Sequence, residues 1–158
     1  MIVEDLMTRS VQSCSPDDTL DRAAQLMWEN DCGIIPVCAA DGIKRTIGVI
    51  TDRDICMCAH IQGRALHDIK VSEAIKDQKL RVCKTGDSVG EAEAAMRQAR
   101  IRRLPVVDAQ GGLVGMLSFA DLARAAGRGK GSEAQITDTE LVGALVAICT
   151  PPSSRLPA

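Results

Sequence analysis

The sequence predicts an α/β (α+β) protein that consists of two copies of one structural unit and a short C-terminal helix. The main indication is an internal repeat, in which Gly48-Val-Ile-Thr-Asp-Arg-Asp54 returns as Gly115-Met-Leu-Ser-Phe-Ala-Asp121. Pro36 and Pro105 align as well, and the spacing between copies changes by two residues around Lys44-Arg45. A small insertion inside a turn, with the pattern intact on both sides, indicates a structural repeat. Units of this size bury their apolar faces against each other.

Both copies show the same predicted order of short helix, strand, helix, strand, strand and helix. The second-copy helix has a capping box, Ser88 followed by Glu91, and Thr19 or Asp18 caps the corresponding helix of the first copy. The predicted segments are lead-in turns at 3–7 and 71–75, extended segments at 11–14 and 80–83, strands at 33–38, 103–107, 47–50 and 113–117, and helices that begin at Asp52 and Phe119.

These elements divide the chain into repeat 1 at 1–62, repeat 2 at 63–126, a flexible Gly-rich linker at 127–136, and a C-terminal helix and tail at 137–158. The sequence Thr137-Asp-Thr-Glu140 opens the last helix. We expect its apolar stripe to pack on the same chain or on a sister chain. The stripe consists of Leu141, Val142, Leu145 and Ile148.

Composition excludes several classes of function. Nineteen basic and 21 acidic residues give a formal charge of −2, which provides no general attraction to nucleic acid or acidic membranes. A local basic cluster does exist, at Arg97, Arg100, Arg102 and Arg103. Trp28 and Phe119 are the only aromatic residues, so the core must be aliphatic and stacking platforms for single strands are absent.

The sequence favours a cytoplasmic protein that does not enter a membrane. Its first residues, Met-Ile-Val-Glu-Asp-Leu, do not resemble a signal peptide, and the apolar stretch 141–149 is too short to span a bilayer. Seven cysteines at irregular spacing fit a reducing compartment and serve mainly as small core residues.

Thr51 and Ser118 lie where a predicted strand passes directly into a helix. Such a junction presents free backbone N–H groups and the positive end of a helix dipole. Both features favour a phosphate group. A hydroxyl followed three residues later by an aspartate can also be a helix cap and nothing more. Two copies in matching contexts favour the ligand-binding interpretation.

The paired Gly-h-x-Thr/Ser-x-x-Asp motifs, each preceded by an Ile-Pro-Val or Leu-Pro-Val strand, resemble a tandem pair of cystathionine-β-synthase (CBS) domains, or Bateman module. The resemblance covers residues 1 to about 126. It implies two β-α-β-β-α units, packed as a pseudo-two-fold pair, whose clefts bind adenosine-containing ligands. By this resemblance Asp54 and Asp121 accept hydrogen bonds from ribose hydroxyls, and Thr51 and Ser118 meet phosphate or ribose.

A basic residue often precedes the Leu-Pro strand in nucleotide-binding members of this family. Arg102 and Arg103 hold that place in repeat 2, whereas Gly33 and Ile34 hold it in repeat 1. Guanidinium groups bind phosphate through two parallel hydrogen bonds, so we expect repeat 2 to carry the simpler binding site. Arg53 is a further candidate for reaching a phosphate.

We expect neither a catalytic site nor a metal site. No nucleophile with a base and an orienting group is evident. Cys56 and Cys58 lie two residues apart on a predicted helix and so face different directions, whereas Cys56 and His60 lack further ligands.

The sequence therefore predicts a regulatory sensor of AMP, ADP, ATP, S-adenosylmethionine or NAD(H), with AMP or ATP as the main candidates and no covalent cofactor. The alternatives are a structural dimerisation module that binds no nucleotide, and nucleic-acid binding through 97–103. An unknown protein target would read the ligand state. We also expect a homodimer, with Leu20, Met27, Val89 and Met96 contributing to its apolar faces.

Overall fold

A computed structural model describes residues 1–128 and 137–150. It confirms a mixed α/β fold with two repeats. The helices are α1 (Val3–Leu6), α2 (Leu20–Glu29), α3 (Asp52–Gln62), α4 (Val71–Ile75), α5 (Val89–Ala99), α6 (Phe119–Arg128) and α7 (Asp138–Cys149). The strands are β1 (Ile34–Cys38), β2 (Thr46–Thr51), β3 (Cys83–Lys84), β4 (Arg103–Val107) and β5 (Leu113–Ser118). The linker was predicted at 127–136, but residues 127 and 128 belong to α6. The rest of that linker and the tail at 151–158 lie outside the described residues.

The strands form two small sheets, an antiparallel pair β1-β2 and a three-stranded sheet in the order β3-β4-β5. The extended segment predicted at 80–83 forms a strand only at Cys83–Lys84. The one predicted at 11–14 forms no strand, because only Cys14 pairs, through one parallel bridge to Val37. Cys14 N–H donates to the Pro36 carbonyl at 3.0 Å, and Cys38 N–H donates to the Cys14 carbonyl at 2.9 Å. The next bond of this ladder would need an N–H on Pro36, which proline lacks.

Local side-chain caps set the starts of the helices. Arg22 N–H donates to Thr19 Oγ1 at 3.2 Å, so Thr19 caps α2. The predicted capping box of α5 is confirmed, because Ser88 N–H donates to a carboxylate oxygen of Glu91 at 2.8 Å and Glu91 N–H donates to Ser88 Oγ at 3.2 Å. These bonds satisfy backbone donors that the first helical turn leaves free.

The chain folds into two compact units, and each takes its lead-in helix from the other repeat. Among the described residues, the repeat-1 unit comprises 10–80 and 107–114, and the repeat-2 unit comprises 1–9, 81–106, 115–128 and 137–150. In the repeat-1 unit, Val71 N–H at the start of α4 donates to the Asp18 carbonyl at 2.8 Å. In the repeat-2 unit, Val3 N–H at the start of α1 donates to the Asp87 carbonyl at 2.9 Å.

The two motif glycines allow close contact between a strand and a lead-in segment. A Cβ at Gly115 would lie 2.8 Å from Met7 Sδ and 2.8 Å from the Thr8 carbonyl oxygen. A Cβ at Gly48 would lie 2.7 Å from Ile75 Cδ1, at the end of α4. The glycine of each motif therefore serves packing within its unit.

Each unit has an aliphatic interior. The repeat-1 core includes Cys14, Leu20, Ala23, Leu26, Met27, Ile35, Val37, Ile50, Ile55, Ile69 and Val71. In the repeat-2 unit, Val89 is 2% exposed and Met96 is fully buried. The expectation that Leu20, Met27, Val89 and Met96 contribute to an exposed dimer face is therefore wrong. They lie on the sides of α2 and α5 that carry the buried residues, where the hydrophobic effect favours them most.

Helix α7 packs against α5 and α6 of the same chain. Leu141 and Ala144 are buried, whereas Val142 is 61% exposed and Leu145 is 42% exposed. The buried side follows i, i+3 spacing. The predicted stripe therefore holds for the buried Leu141 and the half-buried Ile148, and it is wrong for Val142 and Leu145. Arg100 donates to the Thr150 carbonyl at 3.2 Å, next to the end of α7.

Candidate ligand-binding motifs

In the first motif, Thr51 is the last residue of β2 and the N-cap of α3. Thr51 Oγ1 accepts from Asp54 N–H at 3.1 Å, while Asp54 Oδ2 accepts from Thr51 N–H at 3.0 Å and from the Thr51 hydroxyl at 2.8 Å. This reciprocal cap fixes both side chains. Asp54 Oδ1 has no hydrogen-bond partner among the described residues, so one carboxylate oxygen stays open to a ligand.

The second motif repeats this arrangement with Ser118 and Asp121. Asp121 Oδ2 accepts from Ser118 N–H at 2.7 Å and from the Ser118 hydroxyl at 2.6 Å, and Asp121 N–H donates to Ser118 Oγ at 3.3 Å. Asp121 is 8% exposed. Its other oxygen, Oδ1, accepts from the Arg124 guanidinium. Both carboxylate oxygens are thus occupied in this motif.

Arg102 and Arg103 lie beside the second motif, as the alignment of the repeats predicts. Phe119 N–H, at the start of α6, donates to the Arg102 carbonyl at 2.8 Å. Both arginines are exposed, and in the described part of the chain neither guanidinium has an ion-pair or hydrogen-bond partner. Two unengaged positive charges at a strand-to-helix junction suit a phosphate group.

At the place that Arg102 holds beside the second motif, the first motif has a carboxylate and no guanidinium among the described residues. Asp52 N–H donates to the Gly33 carbonyl at 3.3 Å, which makes Gly33 the structural counterpart of Arg102. A Cβ at Gly33 would lie 3.1 Å from Asp52 Oδ2, so the Asp52 carboxylate lies where a side chain would begin. Arg53 is exposed, and within residues 1–128 and 137–150 its guanidinium has no partner. The first motif therefore combines two carboxylates with one arginine.

The sequence interpretation missed Arg124 and Asp52. A signal for Arg124 was present, because opposite charges three residues apart on a helix are neighbours. The place of Asp52 depends on the close approach of Gly33, which the sequence does not encode locally.

The arginine cluster at 97–103 does not form one free patch. Arg97 Nε lies 3.7 Å from a carboxylate oxygen of Glu93, and Arg100 binds the Thr150 carbonyl. Arg102 and Arg103 are the members of the cluster that have free guanidinium groups in the described structure. This division favours a small anionic ligand over an extended nucleic-acid backbone, which needs several positive charges in register.

The cysteines do not assemble into a metal site in the described ranges. No group of three or more His, Cys, Asp or Glu side chains among residues 1–128 and 137–150 could hold a metal ion. Burial raises the pKa of the Cys14 and Cys83 thiols to about 12, so both remain protonated and unreactive at neutral pH.

None of the helices that the structure describes is long and apolar enough to cross a bilayer.

The two repeats, each closed by the same capped strand-to-helix motif, define a tandem-repeat module. The family model for the CBS domain matches twice, at residues 3–60 and 71–128. The chain therefore belongs to the CBS-domain family.

Similar proteins include CBS domain-containing protein YhcV of Bacillus subtilis, which is 40% identical over 77% of this chain and 82% of its own length. Hypoxic response protein 1 of Mycobacterium tuberculosis is 31% identical over 93% of both chains. A crystal structure of Hypoxic Response Protein I with two coordinated zinc ions covers 78% of this chain and 98% of its own, at 31% identity and a TM-score of 0.71. CBSX2 in complex with AMP covers 79% of this chain and 95% of its own, at 27% identity and a TM-score of 0.67.

Proposed function

We propose that this protein is a cytoplasmic regulatory module that senses an adenosine-containing ligand, foremost AMP or ATP. The observation that carries the proposal is the pair of capped motifs, together with two free arginines beside the second of them. The AMP complex of CBSX2, a relative with the same fold, supports adenosine as the ligand class. ADP, S-adenosylmethionine and NAD(H) share the adenosine part and belong to the same proposal.

The second motif is the main phosphate site in this proposal. Ser118 begins α6, where backbone N–H groups and the helix dipole favour an anion. Arg102 and Arg103 add charge-assisted hydrogen bonds. At the first motif Asp54 offers an open oxygen to the ribose hydroxyls, while Arg53 supplies the nearest positive charge on the same helix.

The ligand acts by shifting a conformational equilibrium and not by chemistry. A ligand that binds one arrangement of the chain more tightly than another shifts the population toward it, and a target protein reads the difference. The size of the shift is limited by the difference between the two affinities.

AMP and ATP are expected to raise the melting temperature of the protein. A ligand that binds only the folded state stabilises it by about 2.7 kcal/mol at a hundredfold excess over Kd. Adenosine, which lacks phosphate, should stabilise less. Thermal-shift measurements with AMP, ADP, ATP, S-adenosylmethionine, NADH and adenosine check this. If no adenosine compound shifts the melting temperature at millimolar concentration, the protein is a structural module instead.

We further propose a homodimer that forms through α2 and α3. Helix α7 packs on α5 and α6 of the repeat-2 unit. In the repeat-1 unit, the corresponding helices α2 and α3 carry large exposed apolar side chains. Trp28, near the end of α2, is 89% exposed, and Ile61, near the end of α3, is 76% exposed. Exposed apolar side chains of this size favour association with a second copy.

Sedimentation of the wild-type protein is expected to give twice the mass of one chain at micromolar concentration. Trp28→Glu combined with Ile61→Glu should give the monomer, because buried charges at an interface are costly. Val142→Glu on the exposed side of α7 is the matched control and should leave the dimer intact. A wild-type monomer, or a dimer that only Val142→Glu dissociates, contradicts this assignment.

A further inference from the structure

The two motifs differ at one position of the helix that follows them. Three residues after Asp121 lies Arg124, whose guanidinium binds Asp121 Oδ1. The corresponding residue of the first repeat is Met57, three residues after Asp54. Positions three apart on a helix are neighbours, but a methionine cannot donate a hydrogen bond. Asp54 Oδ1 accordingly lacks a partner in the described structure.

This difference decides whether a ribose diol finds a free carboxylate oxygen at the motif. In both motifs Oδ2 of the aspartate already accepts two hydrogen bonds from the capping residue. A carboxylate oxygen has about two acceptor positions, so Oδ1 is the oxygen left for a ribose diol. At the second motif the diol has to displace Arg124 or share the oxygen with it. At the first motif, none of the described residues competes for Asp54 Oδ1.

The surrounding charges point in the same direction. Around the second motif, Arg102 and Arg103 add two unpaired positive charges, while Asp121 is neutralised by Arg124. Around the first motif, Asp52 and Asp54 contribute two negative charges against the single Arg53. The second motif therefore attracts a phosphate more strongly, and the first motif accepts hydroxyl groups more readily.

We propose that Arg124 is a specificity-determining residue, because it reduces the contribution of ribose hydroxyls at the second motif and leaves phosphate as the main determinant there. The first motif, with Met57 at that place, depends mainly on the ribose. This inference rests on the proposed function and specifies which part of the ligand each motif recognises. Arg124 is 61% exposed in its side chain, so its replacement does not disturb the core.

The test compares AMP with 2′,3′-dideoxyadenosine 5′-monophosphate, which lacks both ribose hydroxyls, by titration calorimetry. Asp54→Ala removes the diol acceptor of the first motif, so the second motif is measured in that background. There the two ligands should bind within about threefold of each other. Adding Arg124→Met should raise the ratio of their affinities about fivefold, since an exposed ion pair competes to about that extent. Arg124→Gln serves as a second variant if Arg124→Met does not fold.

The reciprocal exchange uses a background in which Arg102→Ala and Arg103→Ala weaken the second motif. In this background AMP should bind at least about tenfold more tightly than the dideoxy ligand, because its hydroxyls form charge-assisted hydrogen bonds with Asp54. Adding Met57→Arg should lower this ratio about fivefold. The two substitutions, Arg124→Met in the second motif and Met57→Arg in the first, are thus controls for each other, since they exchange the residues at equivalent positions of the two repeats.

Unchanged ratios in both exchanges overturn the inference. Weaker AMP binding by Arg124→Met at a constant ratio also overturns it, because Arg124 would then be a phosphate ligand. A wild-type protein that binds neither AMP nor ATP overturns the proposed function itself, and the inference with it. These failures are distinguishable, since the first two require that the wild-type protein binds AMP.

Discussion

Replacing both Arg102 and Arg103 by alanine is expected to weaken AMP binding at the second motif by about tenfold to a hundredfold. A charge-assisted hydrogen bond contributes about 1.5–3 kcal/mol, and each guanidinium can form two of them with a phosphate. Both side chains are exposed, and their loss breaks no hydrogen bond or ion pair among the described residues. Adenosine, which has no phosphate, should bind the variant as it binds the wild type. Titration calorimetry with AMP, ATP and adenosine measures these changes.

The matched control replaces Arg97 and Arg100 by alanine, which removes the same charge from the same segment. These side chains contact Glu93 and the Thr150 carbonyl within the repeat-2 unit, so AMP binding should remain within about twofold. Equal losses in both double variants would mean that a general field attracts the ligand. Arg102 precedes β4 and Arg103 is its first residue, so the single variants Arg102→Ala and Arg103→Ala measure how the two guanidinium groups divide the effect.

Features of the fold that depend on neighbouring residues could be predicted from the sequence. Ser88 and Glu91 form a capping box because both partners lie within one helical turn, and Thr137 with Glu140 does the same at α7. The capped pairs Thr51 with Asp54 and Ser118 with Asp121 follow the same local rule. The repeat pattern indicated the family, because it places these local signals twice in the same order. The CBS-domain model, which matches both copies, confirmed it.

Features that depend on distant contacts could not be predicted. The exchange of lead-in helices depends on bonds such as Val3 N–H to the Asp87 carbonyl, which join residues more than eighty positions apart. The sequence predicts the lead-in segments but not the unit on which each of them packs. The single bridge at Cys14 could not be predicted for a similar reason. The ladder stops there because Pro36, which lies on β1 and is distant in sequence, has no N–H to donate.

The same distinction between local and distant features holds for the candidate site. The residue types at the two motifs and the arginines before the Leu-Pro strand could be identified from the repeat alone. The spacing of Asp121 and Arg124 makes their contact possible. It does not show which of several donors the carboxylate accepts, so the occupation of Asp121 by Arg124 could not be settled from the sequence. The side chains of Leu20 and Met96 show the same limit, since an apolar helix stripe fits a core and an interface equally well.

Met96→Ala is expected to lower the free energy of unfolding by about 2–5 kcal/mol. Met96 is fully buried on α5, and truncating a buried methionine removes transfer free energy and leaves a cavity that the surrounding structure fills only in part. For a chain of this length the melting temperature should fall by about 5–15 °C. Urea or thermal unfolding of the ligand-free protein at one fixed concentration measures this change.

Met57→Ala is the matched control, because it makes the same chemical change on the exposed side of α3. Met57 is 43% exposed, so its truncation should change the free energy of unfolding by less than about 0.5 kcal/mol. The two variants separate a core position from a surface position that an amphipathic pattern alone treats alike. Equal destabilisation by both, or a Met96→Ala variant that changes the oligomeric state and not the stability, would place Met96 at an interface after all. The burial of Met96 and the exposure of Met57 predict a large loss of unfolding free energy for Met96→Ala and a small one for Met57→Ala.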